Sequence, residues 1–395
     1  MAGELKRRLG PGLLTAYGVG VMVGAGIYVL VGAVVGQAGV WAPLSFVLAG
    51  LVAMPTALTY AELTTRVPEA AGEAAYVELG LGAHRLAVLI GLAIIVAGTV
   101  SAAAVLRGGV GYLTALIDLP SDWAIVGLGA LLTLIAMVGV LESLTVAAVL
   151  TAIEVAGLAM VIWAGFHAAP VADWQAPPPP QWVGVAGAAG LAFFAFIGFE
   201  DLANMAEEAK APERTMPRAI LAALTITALL YALVSLAAVR AVPVEALAGS
   251  TRPLALVWQH GTGGNAAFLS AIAVFAALNG ILAQIVMAAR VLFGLGRRTR
   301  WLSVFHNADK RFGTPVLATL LLGAGVVIAA LKLEVQALAE VTSAVLLGVF
   351  AVVNTALIGF KRQSDVAPFR VPLWVPVLGL VAALAALAGI MGGVI

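Results

Sequence analysis

The chain reads as an all-α, polytopic membrane protein of about eleven spans, and three observations predict it. Hydrophobic residues make up 62% of the sequence and charged residues only 10%. A water-exposed surface needs about 25% charged residues, so this chain cannot cover itself for water. Apolar runs follow one another along its length, with a mean hydropathy of +1.07. Two of those runs are interrupted at places five spans apart.

A helix needs roughly 20 apolar residues to cross a bilayer. Such runs lie near 12–36, 42–64, 75–105, 122–141, 145–167, 183–206, 217–240, 264–294, 314–332, 336–360 and 371–394. The third and eighth are long, which predicts tilt or an interfacial extension. Between the fifth and sixth, "APVADWQAPPPPQW" is a stiff, extended connector. No cleavable signal peptide is expected, because "MAGELKRRLG" runs straight into a span. Basic residues gather at one set of span ends: Lys6, Arg7, Arg8, Arg66, Arg85, Lys210, Arg214, Arg218, Arg297, Arg298, Arg300, Lys310, Arg311, Lys361, Arg362 and Arg370. Arg107, Arg240, Arg252 and Lys332 fall at the other. The positive-inside rule then predicts a multi-pass protein of the cell (inner, plasma) membrane with a cytoplasmic N-terminus, and eleven spans put the C-terminus outside.

Composition also excludes several functions. The absence of cysteine rules out disulfides and thiolate metal sites. His84, His167, His260 and His306 all fall near span ends, which argues against a metal site or a proton relay at the membrane centre. A net charge of +1 predicts no nucleic-acid partner. The basic stretch "GRRTRWLSVF" is not glycine-cradled, so no nucleotide loop and no cofactor is expected. No catalytic constellation at matched depth points to an enzyme.

The first span reads "YGVGVMVGAGIYVLVG", with Gly18, Gly20, Gly24 and Gly26. The sixth reads "GLAFFAFIGFEDLANMAEEAK", with Gly198 followed by Glu200, Asp201 and Asn204. Glycine relaxes backbone limits, and exposed backbone groups survive in a bilayer only where they line a protein-enclosed cavity. Close packing through small residues is the structural alternative. An odd offset of five spans inverts topology, and interrupted helices at matching places in two inverted halves point to a transporter site. Half-helix N-termini attract a carboxylate, and free carbonyls accept from an ammonium or hold a cation.

At these residues the sequence resembles the amino acid–polyamine–organocation transporters, of the amino acid permease type. The resemblance rests on "GVGVMVGAGIY", on "YAELTTRVPEAAGEAAY" from Tyr60 to Tyr76, and on the long stretch from Phe193 to Ile220. "AALNGILAQIVMAARVLFGLGRR" from Ala276, "LAEVTSAVLLGVFAVVNTALIGFKR" from Leu338 and "FRVPLWVPVLG" from Phe369 complete it. It implies the leucine-transporter-like fold in a single domain, 1–395, with a first five-helix repeat over 11–168, an inverted second over 183–360, and an accessory helix over 370–395. Many relatives carry a twelfth span. Carried over by motif, Val23, Gly24, Ala25 and Gly26 line the unwound part of span one, where their amides hold a substrate carboxylate. Ala25 stands where the family often has serine. Phe194, Ala195, Phe196, Ile197 and Gly198 line the break in span six; the carbonyls of the first four accept from the substrate amine, and Phe194 takes the place of an aromatic gate. An apolar wall with backbone polar groups suits a small neutral amino acid.

Glu154 stands in the otherwise apolar run "LTAIEVAGLAMVIWAGF", and a carboxylate at that depth costs several kcal/mol unless paired, protonated or wetted. Some proton-coupled relatives carry a lysine at the matching place, standing in for a sodium ion beside span one, so the sign of the charge is reversed here. Three roles stay open: a proton carrier, a cation ligand with carbonyls around Gly20 and Val23, or a structural partner of span-one amides. Span eight offers Asn279 but no Ser or Thr in "VFAALNG", which weighs against sodium. Glu200 reads as a gating or proton-sensing acid or as a cap of the half-helix behind it, and Asp201 as mostly structural. Asn279 reads as a cross-helix hydrogen-bonding group. Thr342 and Ser343 could reach the permeation path. Tyr60 and Glu62 form an inner gate network with "EEAKAPERTMPR", where Glu207, Glu208 and Arg214 are the partners, and Arg107 snorkels. The expected function is secondary active transport of a small, neutral amino acid by alternating access, coupled to protons. The alternative is an uncoupled exchanger or a carrier of polyamines or cationic amino acids.

Overall fold

A computed structural model describes residues 9–24, 26–68, 72–138, 144–309, 313–363 and 366–392. Lys6, Arg7, Arg8, Ala25, Lys310 and Arg311, and the side chains of Glu207 and Arg298, lie outside the described residues. The regular elements among the described residues are helices: α1 (Pro11–Val23), α2 (Gly26–Ala38), α3 (Ala42–Arg66), α4 (Gly72–Leu81), α5 (His84–Leu113), α6 (Ser121–Val138), α7 (Leu144–His167) and α8 (Ala172–Gln175). These are followed by α9 (Trp182–Phe194), α10 (Pro212–Ala241), α11 (Val244–Ala248), α12 (Pro253–Thr262), α13 (Ala267–Arg298), α14 (Val316–Lys332), α15 (Val335–Gln363) and α16 (Trp374–Met391).

This is the all-α, leucine-transporter-like polytopic fold with broken first and sixth helices. Eight helical stretches among the described residues are long and apolar enough to cross a bilayer, counting α2 and α3 as one through the turn at Gly39–Trp41. α1, α9 and α14 are shorter and equally apolar. α1 with α2 forms the first expected span, and α9 with the tight 3-10 turns of Asp201–Glu208 forms the sixth.

The third expected span is corrected. The run 75–105 divides into α4 and α5, and the membrane helix proper begins at His84 and reaches Leu113. The division falls at Gly82, whose φ of +63° places it in the left-handed region that ends helices. α8, α11 and α12 are short helices in the connections, and α12 packs against α7.

The broken helices occupy the centre. α1 packs between α7 and α10, α2 lies along α9, and α5 packs on both α13 and α15. Leu9 extends the first helix toward the end of the sixth span: its amide donates to the Glu208 carbonyl at 3.0 Å and its carbonyl accepts from the Lys210 amide at 2.8 Å.

A candidate transport site between two broken helices

α1 stops because the Gly24 amide closes on the Gly20 carbonyl at 3.0 Å and Gly24 then turns to φ +30°, ψ −135°. That conformation is strained for any side chain. α2 restarts at Gly26, where a Cβ would lie 3.3 Å from the Ala195 backbone. α9 ends in three successive i→i+3 turns: Ala195 on Ala192 at 3.0 Å, Phe196 on Phe193 at 2.9 Å and Ile197 on Phe194 at 3.2 Å. Gly198 follows at φ +125°, and a Cβ there would strike Val21 at 2.7 Å. The two breaks therefore press directly against each other, with glycine at each closest approach.

One side chain ties them together. The Tyr231 hydroxyl of α10 lies 2.7 Å from the Met22 carbonyl oxygen and 2.8 Å from that of Ala195, with the residue fully buried. Its ring stacks edge-on with Phe196 and Phe46.

Beside the junction is a narrow cleft lined by Gly24, Gly26, Phe194, Ile197, Ser101 of α5 and Gln284 of α13, with Val21, Met22, Val105 and Gly280 around them. Its free space is about what one ordered water needs. Gln284 Nε2 donates to Asp201 Oδ2 at 3.2 Å, which anchors one wall to the residue after the break.

The expected site residues divide accordingly. Gly24, Gly26, Phe194 and Ile197 line the cleft; Phe196 points away into the packing of Tyr231 and Gly50, and Val23, Ala195 and Gly198 shape the breaks from behind. The Phe194 and Ala195 carbonyls already have partners, Ile197 N and Tyr231 Oη. Glu200 Oε2 accepts from the Gly198 amide at 2.9 Å, so this carboxylate closes the turn at the break. Ser101 and Gln284 went unnoticed in the sequence, though each is an isolated polar residue in an apolar helix. Tyr231 carries no local signal at all.

Glu154 stands on α7 behind α1, away from the cleft. It is 1% exposed, and among the described residues neither carboxyl oxygen has a hydrogen-bond partner. The Asn279 amide faces it without closing a bond of ordinary geometry. Its backbone carbonyl accepts from the Tyr28 hydroxyl of α2 at 3.0 Å, and the Tyr28 carbonyl in turn accepts from Tyr112 of α5 at 2.7 Å. One turn earlier on α7, Thr151 Oγ1 sits where a Cβ on Gly20 would be, 2.0 Å away.

The network expected around Glu62 has other partners. Glu62 is fully buried and binds Arg66 Nη2 at 2.6 Å, Lys361 Nζ at 2.8 Å and the Val371 amide at 2.8 Å. It joins α3, α15 and the approach to α16. Tyr60 donates separately to Glu73 of α4 at 3.1 Å. Arg107 does not merely snorkel: it donates to the Ala330 carbonyl at 2.8 Å and pairs with Glu334 at 2.9 Å. Thr342 bonds its own helix at the Leu338 carbonyl, 2.8 Å away, and Ser343 is buried without a hydrogen-bond partner among the described residues.

Two helices broken face to face beside a central cleft define a polytopic membrane protein of the leucine-transporter-like class. The chain belongs to the amino acid permease family, whose model matches residues 12–394, within the amino acid–polyamine–organocation superfamily. It is similar to the vacuolar cationic amino acid transporter 4 of Arabidopsis thaliana, 31% identical over 94% of this chain and 65% of that protein. The branched-chain amino acid permease BcaP of Bacillus subtilis is 29% identical over 95% of this chain and 85% of its own length. The methylthioribose transporter of the same bacterium is 29% identical, over 88% and 79%. The chain spans slightly less than two thirds of the length of the plant transporters it matches.

Proposed function

We propose that the protein is a secondary active transporter of a small, neutral amino acid, driven by a proton gradient and working by alternating access. The observation that supports this most is the pairing of a cleft at the two helix breaks with a buried carboxyl behind it. The first amides of α2 are helix N-terminal donors and suit a carboxylate. The carbonyls of Phe196 and Ile197 would accept from the substrate amine in this reading. Among the described residues the cleft carries Phe194, Ile197, Ser101 and Gln284 but no charged side chain, which favours a neutral side chain on the substrate. Two inverted five-helix repeats, 11–168 and 183–360, would rock about this centre, with 370–395 as the accessory helix and the N-terminus on the cytoplasmic side of the plasma membrane.

Glu154 carries the coupling proton in this reading. An unpaired charge in that position costs several kcal/mol, and a proton removes it. Opening of α1 away from α7 would wet the carboxyl and release the proton, so protonation and closure favour each other. The test is Glu154→Gln in liposomes. Uptake driven by a pH gradient should be abolished while binding and counterflow persist. Unaltered gradient-driven uptake in the variant would refute the assignment, and counterflow indifferent to pH in the wild type would make the protein an exchanger.

A cationic substrate is the second reading. It is favoured by Gln284, which lines the cleft and is hydrogen-bonded to buried Asp201, next to Glu200. Competition decides between them: displacement by arginine or spermidine and not by neutral amino acids would replace the neutral reading.

A further inference from the structure

The cleft wall that does not belong to the breaks is built by α5 and α13, which pack against each other. It presents Val105, Gly280 and two polar side chains, Ser101 and Gln284, each more than nine-tenths buried. A serine or threonine hydroxyl in an apolar helix commonly bonds a carbonyl of its own preceding turn. Thr99 does so, to Ile95 at 2.7 Å. Ser101, two residues on, does not: among the described residues its Oγ has no hydrogen-bond partner. Gln284 is half engaged. Its Nε2 donates to Asp201 Oδ2 at 3.2 Å, which fixes the orientation of the amide. Its Oε1 has no hydrogen-bond partner among the described residues and lies 3.1 Å from where a Cβ on Gly98 would stand, one turn of α5 from Ser101. One wall of the cleft therefore offers an acceptor and a hydroxyl, which both donates and accepts, among apolar neighbours.

We propose that Ser101 and Gln284 determine specificity, selecting a small neutral amino acid whose side chain carries a hydroxyl or a carboxamide over its aliphatic isostere. The inference rests on the reading above, in which the two breaks take the α-carboxylate and α-amine and leave the α5–α13 wall to meet the side chain. An aliphatic side chain seated there would cover both polar atoms and leave them unpaired, which costs free energy at each. The hydroxyl of serine or threonine donates to Gln284 Oε1 and accepts from Ser101 Oγ. The carboxamide of asparagine does the same through its N–H and C=O. Asp201 positions the pair: by holding Nε2 it leaves Oε1 as the atom presented. A site built to hydrogen-bond a substrate group rejects the analogue lacking that group far more strongly than an apolar pocket rejects an analogue that gains it.

The experiment measures uptake by the full chain in liposomes and compares isosteric pairs: threonine with valine, and serine with 2-aminobutyrate, where a methyl group stands for the hydroxyl. Alanine, which has no side-chain group to reach either residue, reads the breaks alone. Wild type should take up threonine and serine about tenfold or more efficiently than their isosteres. Ser101→Ala and Gln284→Met should each bring both ratios to within about threefold, with every rate referred to that of alanine. A loss shared equally by both members of each pair leaves the ratios standing, so a wild-type preference that survives in both variants would overturn the proposal. If neither variant yields folded protein, the wild-type ratios decide: a preference of about tenfold for the hydroxyl in both pairs supports it, and parity in either overturns it. Alanine uptake without discrimination within the pairs removes the specificity and leaves the transport reading intact. Uptake of none of the five, alanine included, refutes the neutral amino acid reading and the specificity with it.

Discussion

Gly20 brings α1 against Thr151 of α7, and its replacement tests the geometry behind Glu154. A Cβ at position 20 would stand 2.0 Å from Thr151 Oγ1 and 3.2 Å from Thr151 Cβ. Thr151 is 4% exposed, so its side chain has no solvent to swing into. Alanine is intrinsically the better helix former by about 0.5–1 kcal/mol, whereas overpacking a close contact costs about 1–3 kcal/mol. Gly20→Ala should therefore destabilise by about 1–2 kcal/mol net. Thr151→Ala removes the clashing hydroxyl and leaves Cβ at a tolerable distance, and alone should cost about 1 kcal/mol for the lost atoms. The double variant should then resemble Thr151→Ala, a favourable coupling of about 1–2 kcal/mol in a double-mutant cycle. The assay is melting of the four proteins in detergent, followed by gradient-driven uptake, which Gly20→Ala should depress by displacing α1 from Glu154. Additive losses in the cycle, or a Gly20→Ala protein as stable as wild type, would refute the contact.

Three further outcomes follow from the same geometry. Gly198→Ala combines φ +125° with a 2.7 Å clash against Val21; it should cost about 2–4 kcal/mol and abolish substrate binding, as read by melting and ligand shift. Lys361→Met leaves Glu62 with a single cation in a buried site; melting should show a loss of about 3 kcal/mol, and the milder Lys361→Arg should recover most of it. Glu73 lies outside the spans, and burial pushes its carboxyl up to about 7 while its own backbone amide and Tyr60 pull it back. An acid raised on folding contributes stability that is complete below its unfolded value near 4.5 and is lost as pH rises through about 7. Melting should fall between pH 5 and about 8, and Glu73→Gln should flatten that part of the profile, even with Glu200 and Asp201 nearby.

The solvent, the succession of spans and the two breaks were all legible in the sequence. Each is written in local chemistry: apolar run length, charge density, and glycine where the backbone must leave the helix. Gly24, Gly26 and Gly198 stand at the breaks because no other residue takes those angles or fits those approaches. The third span misled for the same local reason, since one left-handed glycine at Gly82 divides an unbroken apolar run and hydropathy does not register it. Tertiary structure alone decided which break residues face the cleft. Three tight turns between Ala192 and Ile197 turn Phe196 away and bring Ile197 in. It also decided that Glu62 belongs to Lys361 across α15, that Gln284 rather than Asn279 reaches the cleft, and that Tyr231 spans both broken helices. Those pairings join residues far apart in the chain, and only the packing of one helix on another brings their donors and acceptors within reach.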